Sequence, residues 1–202
     1  MAFAIIGSAI RKTDQVHFTP SHYWNMVKTA KAFIDNHPTT ITHLVSGGAA
    51  GADHVAVQIF LDDPSKYQLT LHFPASFAQG KYQGARDANT ANYYHRQFSD
   101  LVRRDTLGQI MQALCSGAKT TVSHHFKERN TKVAEQATTL MAFTFGQGTT
   151  VNTSKPAHPL NAEPAGLKRG GTSDTWNKAI ATTECVHVPL WNLGSSPIST
   201  FQ

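Results

Sequence analysis

Apolar and polar positions switch between two periods along this chain, and the switches mark its elements. Phe3-Ala4-Ile5-Ile6 is a short apolar run closed by Gly7-Ser8, which predicts a buried strand entering a turn. Thr19-Pro20-Ser21 reads as a helix start. Trp24, Val27, Ala30, Phe33 and Ile34 then recur at helical spacing until His37-Pro38 stops the helix. Ile41-Thr42-His43-Leu44-Val45 predicts a second strand, which empties into Ser46-Gly47-Gly48-Ala49-Ala50-Gly51-Ala52-Asp53. A helix with Val55, Ala56, Ile59 and Phe60 on its inner face follows, and Asp63-Pro64 ends it. Leu69-Thr70-Leu71-His72-Phe73 is a third strand, stopped by Pro74.

Strands alternating with helices through short connections predict an α/β fold: a Rossmann-like open parallel sheet of about five strands with helices on both faces. Residues 85–123 read as a helical insert of one or two helices after the third strand, with Tyr93, Tyr94, Phe98, Leu101, Ile110 and Met111 as inner positions. Glu128 to Gln136 predicts another helix, and Leu140 to Phe145 a fourth strand. Residues 146–169, rich in Gly, Thr, Pro and Asn without a period, read as a long flexible loop, and loops of that length are usually functional or disordered. Gly170-Gly171-Thr172 opens a helix carrying Trp176, Ala179 and Ile180. Cys185 to Leu190 is the fifth strand, and residues 192–202 form a loose tail. The reading is one domain over residues 1–202.

Composition narrows the class. With 202 residues the chain can bury a core without disulfides or metals. Charged residues make up only 15%, which argues against a charge-rich disordered protein or a long coiled coil. Eighteen Lys plus Arg against thirteen Asp plus Glu give +5, which suits an anionic partner but is far from a nucleic-acid arm. No apolar run is long enough for a membrane span, so no membrane partner is expected. The apolar opening is a strand rather than a signal peptide, because no basic segment precedes it. Cys115 and Cys185 lie far apart and near no motif, which makes a reduced, cytoplasmic chain the default. His124-His125 are neighbours that would not face one point on a helix, so no metal site and no cofactor are expected.

The strongest chemical signal is the Ser46–Asp53 loop. Its glycines let a ligand approach the backbone, and the free amides of the following helix favour an anion. The spacing is neither that of a dinucleotide fingerprint nor that of a Walker A loop. Asp53 is placed to accept from ribose hydroxyls, or simply to complement the helix dipole. Gly170-Gly171-Thr172-Ser173 is a second such loop, with a capped tight turn as the plainer reading. Arg129-Asn130 offers a planar fork for phosphate or carboxylate, or a solvated helix face. Ser46 lacks the Gly-x-Ser-x-Gly context of a nucleophile.

Taken together, a first strand ending in Gly-Ser, then Ser-Gly-Gly-Ala-x-Gly-Ala-Asp, then Arg-Asn, then Gly-Gly-Thr resembles the SLOG superfamily, and most nearly its YspA-like branch. The superfamily also holds the LOG phosphoribohydrolases and the DNA-processing protein DprA. The resemblance covers about residues 3 to 75 and 127 to 190. It implies a Rossmann-like fold and a nucleotide-type ligand. By position it implies that Gly7 and Ser8 line the site and that Ser46, Gly47, Gly48, Gly51 and Asp53 form its centre. Arg129 and Asn130 would flank it, and Gly170, Gly171 and Thr172, with Ser173 beside them, would hold a phosphate.

Three departures bear on chemistry. Ala9 stands where the branch often has Arg, with Arg11 coming later, and Ala49-Ala50 stand where it often has another. Lys168 and Arg169 are candidates to restore the charge. The LOG glutamate position is held by Thr175, with Asp174 beside it. The first expectation is therefore a binding protein that senses or sequesters a nucleotide-derived signal. The alternative is a LOG-like hydrolase of an N-glycosidic bond, with Asp53, Glu128 or Arg129 as catalytic candidates. The third is a DprA-like single-strand binder using Tyr93-Tyr94-His95-Arg96, Phe98 and Arg103-Arg104, against the plainer reading of an amphipathic helix. A homo-oligomer is expected by analogy with other small Rossmann-like domains.

Overall fold

The computed structural model describes residues 1–11, 14–146, 170–179 and 183–194. Nearly all of the expected 146–169 loop, including Lys168 and Arg169, lies outside these residues, as do Ile180 and the tail from residue 195. Among the described residues the strands of the main sheet are β1 (Ala2–Gly7), β2 (His43–Ser46), β3 (Gln68–Phe73), β6 (Lys119–Val122), β7 (Thr139–Thr144) and β8 (Glu184–Pro189). They form a six-stranded sheet in the order β6-β3-β2-β1-β7-β8, parallel throughout. A two-stranded antiparallel hairpin, β4 (Phe77–Ala78) and β5 (Lys81–Tyr82), stands apart from it. The helices are α1 (Pro20–Asn36), α2 (His54–Asp62), α3 (Arg86–Val102), α4 (Thr106–Cys115), α5 (Phe126–Gln136) and α6 (Gly171–Ala179).

The central strands are apolar on both faces because helices cover both. Phe3 and Ile5 of β1 join Leu44, Leu71, Phe73, Met141 and Phe143 under α1 to α4. Ala4 and Ile6, one residue out of step, join Val45, Leu140 and Ala142 under Val133 and Ala134 of α5 and Trp176 and Ala179 of α6. This is the period-two alternation of a strand, filled on both sides. Helix α2 is buried from His54 to Phe60, on every side rather than on one face.

Two elements differ in detail from the sequence reading. The sheet is the expected Rossmann-like open parallel one with helices on both faces, and it has six strands because the 85–123 segment ends in β6 and is not wholly helical. That strand, Lys119-Thr120-Thr121-Val122, is exposed along its length at the sheet edge, so it lacks the apolar run that announces a buried strand. Trp24, the first residue of the apolar series read at helical spacing in α1, is 37% exposed, and the Arg104 guanidinium lies 4.9 Å from its ring centre. Tyr23 and Met26 fill the core instead.

The insert folds back on the domain. Phe98 and His95 of α3 are buried, as is Ile110 of α4, while Tyr93 is exposed. His95 is wired into place. The Thr106 hydroxyl lies 3.0 Å from its Nδ1, and its Nε2–H donates to the Gly48 carbonyl at 3.0 Å. The carbonyl acceptor sets the tautomer, so Nδ1 accepts. No helix among the described residues is long and apolar enough to cross a membrane.

Candidate functional site

The chain runs outward from β1 to β6 on one side, then returns to place β7 and β8 on the other side of β1. In open α/β sheets the loops part at such a reversal and leave a crevice at the carboxyl ends of the strands. A cavity of about 510 Å³ occupies that position. Its lining comes from the loop after β1, the loop after β2, one stripe of α5, the end of β7 and the start of α6.

Gly7 ends β1 where its backbone passes close to β7, and the Ser8 amide donates to the Phe143 carbonyl at 2.8 Å. The Ser8 hydroxyl donates to Asp14 Oδ2 at 2.6 Å and accepts from the Ile10 amide at 3.2 Å. Ile10 is held at φ 55° while buried, a left-handed conformation that a β-branched residue adopts only when its surroundings impose it. The turn delivers Arg11 and Asp14 to the pocket wall.

The glycine-rich loop works from behind. The Ser46 hydroxyl, fully buried, donates to the Asp53 carbonyl at 2.7 Å and accepts from the Gly48 amide at 3.1 Å. Gly48 turns away from the pocket; its carbonyl accepts from the Tyr82 hydroxyl at 2.6 Å and from His95. Gly51, at φ +81°, lets the loop press on the first one, since a Cβ there would strike the Ser8 carbonyl. Ala49 and Asp53 are the members of this loop that line the cavity.

Asp53 and Arg129 meet at its base. Arg129 Nη1 is 3.8 Å from Asp53 Oδ2 and donates to the Gly47 carbonyl at 3.3 Å. Its Nε and Nη2 both donate to Asn130 Oδ1, at 3.2 and 2.7 Å. Asn130 Nδ2 in turn donates to Asp174 Oδ2 at 3.0 Å and to the Gly171 carbonyl at 3.3 Å. Burial pushes the Asp53 carboxyl above its ordinary value, against Arg129 and the Ala49, Gly7 and Gly47 amides. Most of Arg129's hydrogen-bonding capacity is thus spent inside the protein, and it ties the β2 loop to α6. Arg11 differs: its guanidinium lies 4.6 Å from the Tyr94 ring centre and 5.7 Å from that of Phe126.

At the start of α6, Gly170, Gly171 and Thr172 line the pocket. The Thr172 hydroxyl donates to the Gly7 carbonyl at 2.9 Å and closes the two loops on each other. Ser173 instead serves the turn, donating to the Gly170 carbonyl at 3.0 Å. Thr175 lines the cavity, while Asp174 pairs with Lys178 at 2.8 Å.

The structure therefore brings Gly7, Ser8, Asp53, Arg129, Asn130, Gly170, Gly171 and Thr172 to one cavity. Ser46, Gly47, Gly48, Gly51 and Ser173 shape it without lining it. Glu128 is not part of it. Its carboxylate accepts from the His124 amide at 2.8 Å and pairs with Lys132 at 3.1 Å, and these two hold it below the usual carboxylate range. That is a helix-start arrangement, since the N-cap His125 also accepts from the Glu128 amide. Sequence reasoning missed Asp14, Thr144 and Phe126 as lining residues. Phe126 had a signal: with Arg129, Asn130 and Val133 it makes the i, i+3, i+4, i+7 stripe of one helix face. Asp14 had none, because an irregular turn carries it. Among the described residues no three His, Cys, Asp or Glu side chains form a group able to hold a metal.

No family model matches the chain. It is 32% identical over 180 residues to the protein named Uncharacterized protein R261 of Acanthamoeba polyphaga mimivirus, a match spanning 87% of this chain and 88% of that one. With that identity over nearly the whole of both chains, this protein belongs to the same family as mimivirus R261.

Proposed function

We propose that this protein binds a nucleotide or nucleotide-derived small molecule in the crevice between β1 and β7, and acts by sensing or sequestering it. The observation that carries the proposal is the meeting of two backbone-rich loops, Gly7-Ser8 and Gly170–Thr172, at one cavity of about 510 Å³. A cavity of that size suits a small-molecule ligand. The first-turn amides of α6 suit a phosphate. The Asp53 and Asp14 carboxylates suit ribose hydroxyls, and Arg11, held beside the Tyr94 and Phe126 rings, adds a cation for a phosphate chain. The resemblance to the SLOG superfamily supports the same ligand class.

Native mass spectrometry of the protein as purified, followed by calorimetry with a panel of nucleotides, tests this. A retained nucleotide derivative, or a dissociation constant in the micromolar range lost in Thr172→Ala and Asp53→Asn, is the expected result. No binding across the panel overturns it. The proposal includes a cytoplasmic location and pairing of two copies, the latter tested by light scattering.

One observation favours hydrolysis as a second reading: Asp14, a buried carboxylate, lines the pocket that the LOG glutamate position leaves to Thr175. Release of free base from the panel, abolished in Asp14→Asn, would establish it. Intact ligand recovered after long incubation would dismiss it.

A further inference from the structure

A second cavity, of about 770 Å³, runs beside the pocket between the start of α3 and the start of α5. Its walls carry Arg86, His124, His125 and Lys127, all exposed, and one carboxylate, Asp87. Asp87 stands in the first turn of α3, where a carboxylate complements the helix dipole. His125 accepts the Glu128 amide at its Nδ1, so its Nε2 carries a proton and is a donor even when the ring is neutral.

The two cavities are continuous in their walls. Phe126 lines both. A dimple of about 10 Å³ lies between them, sharing Arg11, Arg129 and Phe126 with the pocket and Pro74 and Phe126 with the groove. Arg11 stands on this ridge. Its guanidinium touches the Tyr94 and Phe126 rings, and among the described residues it has no carboxylate partner. An arginine held by ring faces keeps its N–H fork for a ligand.

We propose that the groove is a second anion-binding subsite and that the ligand is a dinucleotide-like molecule. One nucleoside arm would occupy the pocket. The linking phosphates would cross Phe126 within reach of Arg11, and the second arm would lie among Arg86, His124, His125 and Lys127. This deepens the nucleotide-binding proposal and rests on it. A mononucleotide would fill the pocket and leave the groove's cations unmatched. A nucleic-acid strand would need the cationic track to continue with stacking aromatics. Beyond the groove, the outward stripe of α3 carries Arg96 but offers Tyr93 as its one exposed aromatic, and it ends on Asp100.

Calorimetry at fixed ionic strength tests this with the four ribonucleoside 5′-monophosphates and the four matching 5′,5′-dinucleoside tetraphosphates. The best dinucleotide should bind at least about tenfold more tightly than its mononucleotide. Arg86→Ala/Lys127→Ala should erase that gain and leave mononucleotide affinity and melting temperature unchanged, because both residues are exposed. Mononucleotide binding without any dinucleotide gain, or a gain that survives in the double variant, overturns the second subsite and leaves the pocket standing. No binding by any of the eight compounds overturns both. Oligothymidylate binding tighter than every dinucleotide, and lost in the double variant, overturns the small-molecule assignment in favour of a strand.

Discussion

Arg129 reaches Asp53 across the base of the crevice, with Nη1 3.8 Å from Oδ2 and side-chain exposures of 11% and 7%. The pair joins α5 to the loop after β2, and through Asn130 the same side chain reaches α6. Removing one member of a buried pair strands the other without compensation and typically costs about 3–5 kcal/mol. Asp53→Ala and Arg129→Ala should each destabilise the fold on that scale in urea unfolding. The double variant should cost clearly less than the sum of the two. Strict additivity would show that the two groups do not interact.

Gly51→Ala should destabilise the protein by at least about 1–3 kcal/mol. A Cβ there meets the Ser8 carbonyl, and the φ of +81° strains any L side chain. Because the same carbonyl accepts the Ala52 amide at 3.1 Å, the collision also displaces the loop after β1. Urea midpoints measure the stability loss, and nucleotide calorimetry should show affinity falling with it. A variant as stable as the parent would mean that the loops can part freely.

Burial pulls the His95 imidazole down to about 4 and the His54 imidazole to about 3, from an ordinary 6.5. Both folded values lie below the unfolded one, so the unfolded chain binds the extra protons. Their contribution is fully present above pH 6.5 and is lost as pH falls toward 4 and then 3. Each histidine should cost up to about 1.4 kcal/mol per pH unit across that window. Melting temperature should therefore drop between pH 7 and pH 5, and His95→Gln should flatten the slope. A slope unchanged in the variant would place acid sensitivity elsewhere.

Arg11→Gln should lower affinity for a phosphate-bearing nucleotide about tenfold, the loss of a charge-assisted contact of about 1.4 kcal/mol. Its melting temperature should stay close to the parent's, since the side chain is exposed. Calorimetry and a thermal melt separate the two effects. Unchanged affinity would remove Arg11 from the site.

The candidate cavity was legible where it coincides with local backbone chemistry. Gly7-Ser8, the Ser46–Asp53 loop and Gly170–Thr172 announce themselves because turns that close strands and open helices need small residues. Their division of labour was not legible. Ser46 and Gly48 belong to the same motif as Asp53, yet their bonds run to Asp53's carbonyl, Tyr82 and His95 rather than into the cavity. The side of a loop that faces a ligand depends on what packs behind it, and here that is the insert, distant in sequence. Glu128 shows the converse: a carboxylate beside a motif arginine, turned to its own helix start.

Local pattern along the chain was enough for the sheet's central strands, for helices α1, α2, α5 and α6, and for the parallel sense. Each of these follows from local periodicity and from the short connections that only a βαβ path satisfies. Tertiary structure alone decided that Lys119–Val122 is a strand, because an exposed edge is held by its hydrogen bonds to β3 and needs no apolar pattern of its own. It alone placed Arg11, Asp14 and Phe126 around one cavity, because β1 and β7 become neighbours only when the chain doubles back. Residues brought together by that reversal share no spacing, and spacing is the only distance a sequence records.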